Sequence, residues 1–432
     1  MPHATTTGAE FATESTEFAA ESATEFANEF ATEFATFRAE CAARRAQPER
    51  RLSPTRPVWI FGAGQFGRDL CAVLVQQGFA VAGFVESRPR AEAVLGLSVV
   101  TWAQLSAEQR QAQLAIGVYN RGAPLDELVA LAQVAQCYDI FLPWDLYAQF
   151  EAALGWRYWL SPAHVLLDHV DQLEQTWLSL SDTLSRECLL NICRFRLGLQ
   201  LSYASFRHDT NQYFNELTLP QGGAQGAVQA APQAASQAAP QAAQQAMHYV
   251  DGGAFNGDTV AELNSLHPIA SAYLFEPDPV NFTALCQTVQ SLQISAHCLP
   301  LALADRYQML SFCAGNGEAG SIDANGNMHI AAMALDDLLH GQPVTFLKLD
   351  VEGAEISAIH GAAATIRRCR PILALSLYHR AQDLWEIPQL LGSVCEDYRF
   401  YLRQHFCNSF DSVLYAIPNP PTPNPNPNPA VS

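Results

Sequence analysis

Lysine is nearly absent from this chain of 432 residues: Lys348 is the only one, so almost all of the 24 basic residues are arginine. Asp and Glu together number 43, and the resulting formal charge of -19 would repel nucleic acid and anionic lipid. No apolar run approaches the roughly 20 residues that span a bilayer, and the first residues lack the basic and apolar segments of a secretion signal. We therefore expect a cytoplasmic protein without membrane insertion and without a nucleic-acid partner.

Paired-cysteine motifs are missing as well. The 11 cysteines include no C-x-x-C pair and are scattered through apolar segments, which predicts buried free thiols in a reducing compartment. The apolar share of 49% is that of a globular protein, and the length allows two or three domains.

Three segments have compositions that do not favour packing. Residues 1–50 form an acidic region in which residues 1 to about 36 repeat Glu-Phe-Ala-Thr units, which predicts low complexity and either disorder or a fraying helix. A partner-binding helix is the alternative. Residues 221–246 are rich in Gln and Ala and cannot offset the entropy of ordering them, so we predict a linker. Residues 419–432 form a Pro/Asn-rich tail.

A glycine-rich turn follows the first apolar strand. The stretch VWIFGAGQFGRDLCAVL places Gly62, Gly64 and Gly67 at G-x-G-x-x-G spacing, and Glu86 follows the next strand, where a ribose-binding acid is expected. We predict a Rossmann-like domain at 56–150 that binds a dinucleotide or nucleotide sugar. The alternative is that the turn serves only strand-to-helix packing. A helical, aromatic-rich pattern then predicts a connector at residues 151–220.

Strand and helix patterns alternate from residue 247 to 418. The strand HYVDGG is followed by a helix, and the alternation continues through SAYLFEP, HCLPLALAD, TFLKLDV and ILALSLYH to RFYLRQHF and SVLYAIP. Two further segments, MLSFCAG and MHIAAMAL, predict an inserted hairpin. Such alternation is typical of a parallel sheet with helices on its faces. The predicted fold class is α/β: a seven-stranded Rossmann-like C-terminal sheet, a smaller Rossmann-like N-terminal domain and a helical connector.

Charged residues stand at the carboxyl ends of these strands, where open α/β sheets bind ligands. They are Asp251, Glu276, Asp305, Asp350 with Glu352, and His379, in strand order. A phosphate-binding loop would carry a cation or several free N–H groups, whereas the first turn carries Asp251 and Asp258. The pattern therefore favours a cationic or zwitterionic ligand, and S-adenosylmethionine fits better than NAD.

Each strand end suggests its own contact with such a ligand. Gly252 and Gly253 permit a tight turn, and the Glu276 carboxylate can accept two hydrogen bonds from a ribose diol. Asp305 is placed to accept a hydrogen bond from an adenine amino group. The alternative is that Asp251 only caps the following helix and Glu276 is a solvated turn residue.

The C-terminal motifs resemble those of the FkbM family of S-adenosylmethionine-dependent methyltransferases. VDGGAFNGDTV is similar to the first glycine-rich motif of that family, FEPDPVNF to its second strand and LALAD to its third. FLKLDVEGAEISAIHGA carries the most distinctive signature, K-x-D-V-E-G-x-E. The N-terminal glycine turn more loosely resembles a nucleotide-binding domain fused to some members.

The resemblance implies methyl transfer, commonly to a hydroxyl group of a surface polysaccharide or natural product. It implies that Gly252, Ala254, Asn256 and Asp258 surround the methionine end of the cofactor. With the strand-end residues, the predicted cofactor set is Asp251, Gly252, Gly253, Ala254, Asn256, Asp258, Thr259, Glu276 and Asp305.

Methyl transfer to an alcohol needs a base that removes the acceptor proton. Asp350 and His379 are the best placed candidates, and Glu352 completes the catalytic set. Asp350 with Glu352 is alternatively a site for Mg²⁺. Lys348 lies on the same face of its strand as Asp350 and is expected to pair with a carboxylate.

Two rival functions remain open at this stage. An NAD- or nucleotide-sugar-dependent oxidoreductase or epimerase would act at the N-terminal glycine turn with Glu86. A non-catalytic scaffold would use both domains for assembly. The expected acceptor is a small molecule or glycan, with a nucleotide-sugar-linked form among the options.

Overall fold

A computed structural model of the chain describes residues 32–202, 204–219, 246–314, 321–322 and 326–420. The N-terminal strands are β1 (Val58–Phe61), β2 (Val81–Val85), β3 (Ala93–Val94), β4 (Leu97–Val100), β5 (Gln113–Ile116) and β6 (Ile140–Phe141). The helices of this half are α1 (residues 32–45), α2 (Gln65–Gln76), α3 (Leu125–Val134), α4 (Pro143–Leu154), α5 (Ala163–Leu167), α6 (Val170–Ser179) and α7 (Thr183–Arg196).

The C-terminal half continues the numbering. Its strands are β7 (Met247–Gly252), β8 (Ile269–Phe275), β9 (Ala296–Leu299), β10 (Ala302–Leu303), β11 (Gln308–Cys313), β12 (Ser321–Ile322), β13 (Met328–Met333), β14 (Phe346–Leu349), β15 (Ile372–Ser376), β16 (Tyr398–Gln404) and β17 (Ser412–Pro418). Its helices are α8 (Asp258–Leu266), α9 (Pro279–Leu292), α10 (Leu335–Leu339), α11 (Glu355–Gly361), α12 (Ala363–Cys369) and α13 (Asp383–Val394).

The N-terminal sheet has the strand order β3-β4-β2-β1-β5-β6. All of its pairs are parallel except the short edge pair β3–β4. Every residue of β1 and β5 is buried, as expected for central strands covered by helices on both faces. The strand order reverses between β1 and β5, so the chain that follows β5 emerges at the centre of the carboxyl edge.

Helix α1 packs against the connector helices. Phe34, Phe37 and Cys41 follow the i, i+3, i+7 spacing of a helix face and are all buried. The ring centroid of Phe34 lies 5.5 Å from that of Trp177 on α6. The prediction that residues 1–50 do not pack is therefore wrong for α1; the residues before it lie outside the described part of the chain.

The helical part of the connector ends earlier than its sequence pattern predicts. Its last helix, α7, ends at Arg196, and the described residues from 197 to 219 form turns and isolated bridges. The predicted linker at 221–246 and tail at 419–432 lie almost wholly outside the described residues.

The C-terminal sheet has seven strands in the order β16-β17-β15-β14-β7-β8-β9, as the alternation predicted. All strands run parallel except β17, which is antiparallel to both neighbours. Side chains alternate between two faces: Val250 packs into the core shared with the N-terminal half, and Tyr249 into a second core on the other face. The predicted α/β class is confirmed.

The predicted third strand is in fact two strands. HCLPLALAD breaks at Pro300, which has no N–H to donate to a ladder. β9 ends in the large sheet at Leu299, whereas β10 joins β13, β11 and β12 in a separate four-stranded sheet. The predicted helix after β14 is likewise divided, into α11 and α12.

The loop between β16 and β17 joins the two halves of the molecule. The Asn408 side-chain amide donates to the carbonyls of Asn120 and Ala123 over 2.7 Å each and accepts from the Leu125 N–H over 3.1 Å. The Trp159 indole donates to the Asn408 carbonyl over 2.8 Å. This loop therefore covers the start of α3 and holds the chain that follows β5.

All 11 cysteines lie in described residues and are free thiols, as predicted, although four of them are only partly buried. Among the described helices, none is long and apolar enough to cross a membrane.

Candidate active site

A cavity of about 700 Å³ opens at the carboxyl ends of β7, β8 and β14. The C-terminal half supplies most of its wall, but the N-terminal half and the connector also contribute. The lining residues from those two parts are Tyr119, Asn120, Arg121, Tyr158, Gln212 and Tyr213. The cavity is therefore bounded by both halves of the chain.

Glycine at 253 lets the first turn approach the end of β14. Its φ is +78°, and a Cβ placed there would lie 1.9 Å from the Asp350 carbonyl oxygen. A side chain at Gly252 would also be crowded, 2.8 Å from the Leu349 side chain. The double glycine is thus required by close packing of two strand ends.

Asp251 and Lys348 form a buried ion pair beside this turn. They face each other in register on β7 and β14, with 2.8 Å between Nζ and Oδ1, and the Tyr249 hydroxyl donates to the other Asp251 oxygen over 2.9 Å. Burial alone would lower the pKa of Lys348, but the carboxylates of Asp251 and Asp350 raise it. The expected pairing of Lys348 is observed, and Asp251 serves it rather than the cavity wall.

Glu276, just after the end of β8, lines the cavity and accepts two backbone hydrogen bonds. Its two carboxylate oxygens accept the N–H groups of Phe255 (2.9 Å) and Asp278 (2.8 Å), and it is 6% exposed. Burial raises its pKa to about 7. Glu276 thus orders the loop after β7 while it lines the cavity.

The other predicted cofactor residues divide into two groups. Gly253, Asp258 and Thr259 line the cavity with Glu276. Ala254 is buried in the turn, and the Asn256 side chain accepts the Asp258 N–H over 3.1 Å. These two residues shape the loop instead of lining the wall.

Asp305 does not line the cavity. Its carboxylate pairs with Arg306 over 2.9 Å and accepts from the Ser357 hydroxyl over 3.3 Å. The prediction placed it at the end of a sheet strand, but the break at Pro300 moves Asp305 to the end of β10. Leu301, nearer that break, lines the cavity instead.

A cluster of carboxylates surrounds the buried His379 ring at the end of β15. Its Nδ1 bonds to Glu355 over 2.9 Å, and its Nε2 lies 3.4 Å from Asp350 and 3.5 Å from Glu352. Burial would lower the pKa of His379, but the charges of Glu355 and Glu352 raise it well above its usual value. The surrounding acids therefore favour the protonated form of the ring.

Asp350 is held by two tyrosine hydroxyls that the sequence analysis did not identify. Tyr213 donates to Oδ2 over 2.9 Å and Tyr378 to Oδ1 over 3.1 Å. Although burial opposes ionisation, the positive charges of His379 and Lys348 lower the Asp350 pKa. Asp350 is thus a weak base within the cluster.

Glu352 differs from its neighbours in the cluster. Its backbone is left-handed, with φ of 54°, and its buried Oε2, like the Oε2 of Glu355, makes no hydrogen bond to any described residue. Burial raises its pKa to about 8. A strained, incompletely satisfied carboxylate at a cavity wall is a feature of functional sites.

The ligand atoms that could hold a metal ion belong to Asp350, Glu355 and His379, all within 4.8 Å of one another. The sequence instead predicts Asp350 with Glu352 as the ligands. A metal bound to His379 would have to displace the proton that the surrounding carboxylates favour on its ring. Metal binding stays a prediction.

The N-terminal glycine turn is closed by contacts within its own domain. The Glu86 carboxylate accepts the Ala63 N–H over 3.0 Å. A Cβ at Gly67 would lie 2.1 Å from the Gly62 carbonyl oxygen, whereas one at Gly64 would meet nothing within 4 Å. Two of the three glycines thus serve strand-to-helix packing, and neither the turn nor Glu86 lines the cavity described above. Nucleotide binding there stays a prediction.

Residues 251–406 match the family model described as the methyltransferase FkbM domain, which confirms the resemblance predicted from the motifs. The fold is similar to that in the crystal structure of Methyltransferase FkbM from Methylobacillus flagellatus KT, with a TM-score of 0.66 and 18% sequence identity. That likeness covers 88% of this chain and 98% of the other, so it extends beyond the matched domain, and at this identity it shows the fold alone. No curated protein matches the sequence.

Proposed function

We propose that the protein transfers the methyl group of S-adenosylmethionine to a hydroxyl group of a sugar or glycan precursor, in keeping with the match of residues 251–406 to the FkbM methyltransferase domain. The observation that carries the proposal is the position of the 700 Å³ cavity, at the carboxyl edge of that domain's sheet. Open α/β sheets bind their ligands at this edge. The proposal places the donor beside Glu276 and the acceptor beside Glu352.

The donor half of the cavity fits a cationic ligand. Asp258, Glu262 and Glu276 line it, and their carboxylates match the sulfonium and ammonium charges of S-adenosylmethionine. Each Glu276 oxygen accepts one backbone N–H and can accept a second hydrogen bond, which suits a ribose diol. The cavity volume lies within the range of about 300–1,000 Å³ of small-molecule sites.

Glu352 is the general base in this proposal. The chemistry that S-adenosylmethionine supplies is an electrophilic methyl group, so the protein must hold the acceptor oxygen in line and remove its proton. Asp350 is stabilised as the anion and His379 as the cation, so neither accepts a proton readily near neutral pH. Glu352, with a pKa of about 8, is the strongest base of the three once ionised.

The acceptor half of the cavity has the walls of a sugar site. Tyr158, Tyr378 and Phe410 present aromatic rings, and Asn120 and Gln212 add polar side chains. Few polar groups between aromatic faces are typical of sites that bind and orient small molecules. A sugar ring has an apolar face and a polar edge, so it fits this combination.

Calorimetry of the full chain tests the donor assignment. S-adenosylmethionine and S-adenosylhomocysteine are expected to bind, and NAD and a nucleotide sugar are expected not to compete with them. Tight binding of NAD with no binding of S-adenosylhomocysteine would instead favour an oxidoreductase or epimerase that acts at the N-terminal glycine turn. Absence of binding by all four ligands would favour a scaffold.

Incubation with labelled methyl donor and cell-envelope extract tests the acceptor assignment. We expect label in glycan or in its sugar precursors, attached through an alkali-stable ether. Label in protein or nucleic acid would contradict the acceptor class while leaving methyl transfer intact.

A further inference from the structure

A second cavity, of about 520 Å³, lies beside the first between the two halves of the chain. The N-terminal half contributes Tyr147, Trp156 and Ser161, and the C-terminal half contributes Gln308, Arg380 and Gln382. Trp156 is 37% exposed, so this cavity reaches the protein surface at the junction of the two halves.

The two cavities share part of their walls. Tyr158, Leu303, Glu352 and Ala354 line both. Glu352 therefore stands at the boundary between the two cavities. An acceptor that enters from the second cavity would reach Glu352 without crossing the donor half.

Resting on the proposed function, we propose that the second cavity is an acceptor subsite for an extended chain of neutral sugar residues. The terminal sugar reaches Glu352, and the sugars that precede it lie between the Trp156 segment and the start of α13. The methyltransferase thus acts on oligosaccharides in preference to free monosaccharides, and the N-terminal half supplies one wall of the acceptor site.

The aromatic and amide side chains of this cavity account for the preference for sugars. The Trp156 and Tyr158 rings lie 4.7 Å apart between centroids and are inclined by 47°, which gives two adjoining aromatic surfaces against which sugar rings can pack. The Trp156 indole N–H donates to the His379 carbonyl over 2.9 Å, so the ring is held in place beside the catalytic cluster. Gln308 and Gln382 offer donors and acceptors to hydroxyl groups.

The charges of the cavity account for the neutrality of the chain. Among the described lining residues the only cation is Arg380, which pairs with Glu386 over 2.9 Å and lies 4.0 Å from Asp383. Glu151 adds a carboxyl group to the wall, and Glu352 adds negative charge once it ionises. A phosphorylated or uronic-acid chain would therefore meet acids without an uncommitted cation to balance them.

Chain-length dependence of the reaction tests the inference. The probes are size-fractionated neutral oligosaccharides of one to six sugars, released from the cell-envelope glycan of the organism that makes the protein, with labelled methyl donor. We expect KM to fall by about 10-fold or more between one and four sugars, because each added hydrogen bond or ring contact contributes. Gln382→Ala and Gln308→Ala are expected to raise KM for the longer fractions by roughly 3-fold to 10-fold and to leave KM for the monosaccharide unchanged.

Tyr138→Ala is the matched control, because Tyr138 is a 69% exposed aromatic residue of the N-terminal half that lines neither cavity. It should leave the whole length series unchanged, and all three variants should bind S-adenosylhomocysteine like the wild type. A KM independent of chain length, or methyl transfer to no fraction while S-adenosylhomocysteine binds, would overturn the inference. Failure of the wild type to bind S-adenosylhomocysteine would instead overturn the proposed function.

Discussion

The turn after β1 and the turn after β7 begin from the same local pattern. Each joins a buried strand to a helix through glycines, and each is followed by an acid after the next strand. Glu86 accepts one backbone N–H of its turn, and Glu276 accepts one from its own turn and one from Asp278. Only the second turn borders the large cavity.

The two turns differ in what lies at the carboxyl edge of their sheets. At the N-terminal sheet, the Asn408 loop is bonded to the chain after β5 and to the start of α3. At the C-terminal sheet, the corresponding edge opens onto the cavity. A strand-turn-helix pattern therefore identifies the fold, whereas the cavity beside the turn after β7 depends on the distant parts of the chain that pack around it.

The largest effect is expected from Glu352→Gln. Loss of the proposed base should lower kcat by about 10²-fold to 10⁴-fold. Burial raises the Glu352 pKa to about 8, so the ionised base becomes more abundant as the pH rises towards 8. In the wild type, kcat should therefore rise about 10-fold per pH unit and level off near pH 8. The variant should lose this rise. A kcat within 3-fold of the wild type at pH 8 would exclude Glu352 as the base.

Thermal unfolding provides the control for this variant. Because the folded-state pKa of Glu352 is raised from 4.5 to about 8, the folded protein holds the proton more tightly, so Glu352 costs stability as the pH rises through that interval. Glu352→Gln should therefore be at least as stable as the wild type at pH 8. The loss of activity then reflects chemistry and not unfolding.

Lys348→Met tests the buried ion pair between Lys348 and Asp251 in the C-terminal sheet. The equivalent strand of the N-terminal sheet, β1, has only apolar residues and no such pair. The substitution leaves the Asp251 carboxylate buried without its cation, which should cost about 3–5 kcal/mol and lower the urea midpoint. Arg38→Met removes an exposed pair with Asp171 and should cost less than about 1 kcal/mol. An equal loss of unfolding free energy in the two variants would show that the buried pair stabilises the fold no more than the exposed pair does.

Gly253→Ala and Gly64→Ala compare the two turns directly. At Gly253 the positive φ and the clash with Asp350 should cost at least about 1–3 kcal/mol and abolish binding of S-adenosylhomocysteine. At Gly64 the added methyl group has space, so stability and binding should stay unchanged. Calorimetry and thermal unfolding measure both, and the opposite ranking would reverse the roles of the two turns.

Glu276→Gln and Glu86→Gln give the smallest expected difference. Glu276→Gln should weaken the binding of S-adenosylhomocysteine by about 10-fold, equivalent to about 1.4 kcal/mol, because it removes a charge at the donor site. Wild-type affinity should also rise between pH 6 and 8 as Glu276, with a pKa of about 7, ionises. Glu86→Gln should change neither affinity nor its pH dependence; a loss there would link the N-terminal turn to the donor.

The sequence predicted the C-terminal sheet well because its strands and helices carry regular patterns and its turn residues have a clear steric role. The strand count, the double glycine and the position of Glu276 all follow from local chemistry. Local chemistry also accounts for the error at Asp305, because Pro300 interrupts a strand that apolar character alone made continuous. The stripe of Phe34, Phe37 and Cys41 was overlooked because the surrounding repeat masks its period.

The rest of the site depends on contacts between distant parts of the chain. Tyr213 and Tyr378, which are 165 residues apart in the chain, both donate to Asp350, and neither has a sequence signal for that role. Trp156 and Tyr158 belong to the aromatic-rich connector and stand in no motif, yet both line cavities. Periodicity reports which face of an element is buried, not which other element covers it.

The position of Phe214 has a practical consequence for dissecting the protein. Its ring centroid lies 5.4 Å from that of Phe346, within the core of the C-terminal sheet, and the neighbouring Tyr213 bonds to Asp350. A fragment that starts at Met247 would lose both rings and expose to water the face of β7 and β14 that carries Tyr249 and Phe346. The smallest autonomous piece of the enzyme must therefore begin upstream of Tyr213, on the far side of the Gln/Ala-rich segment.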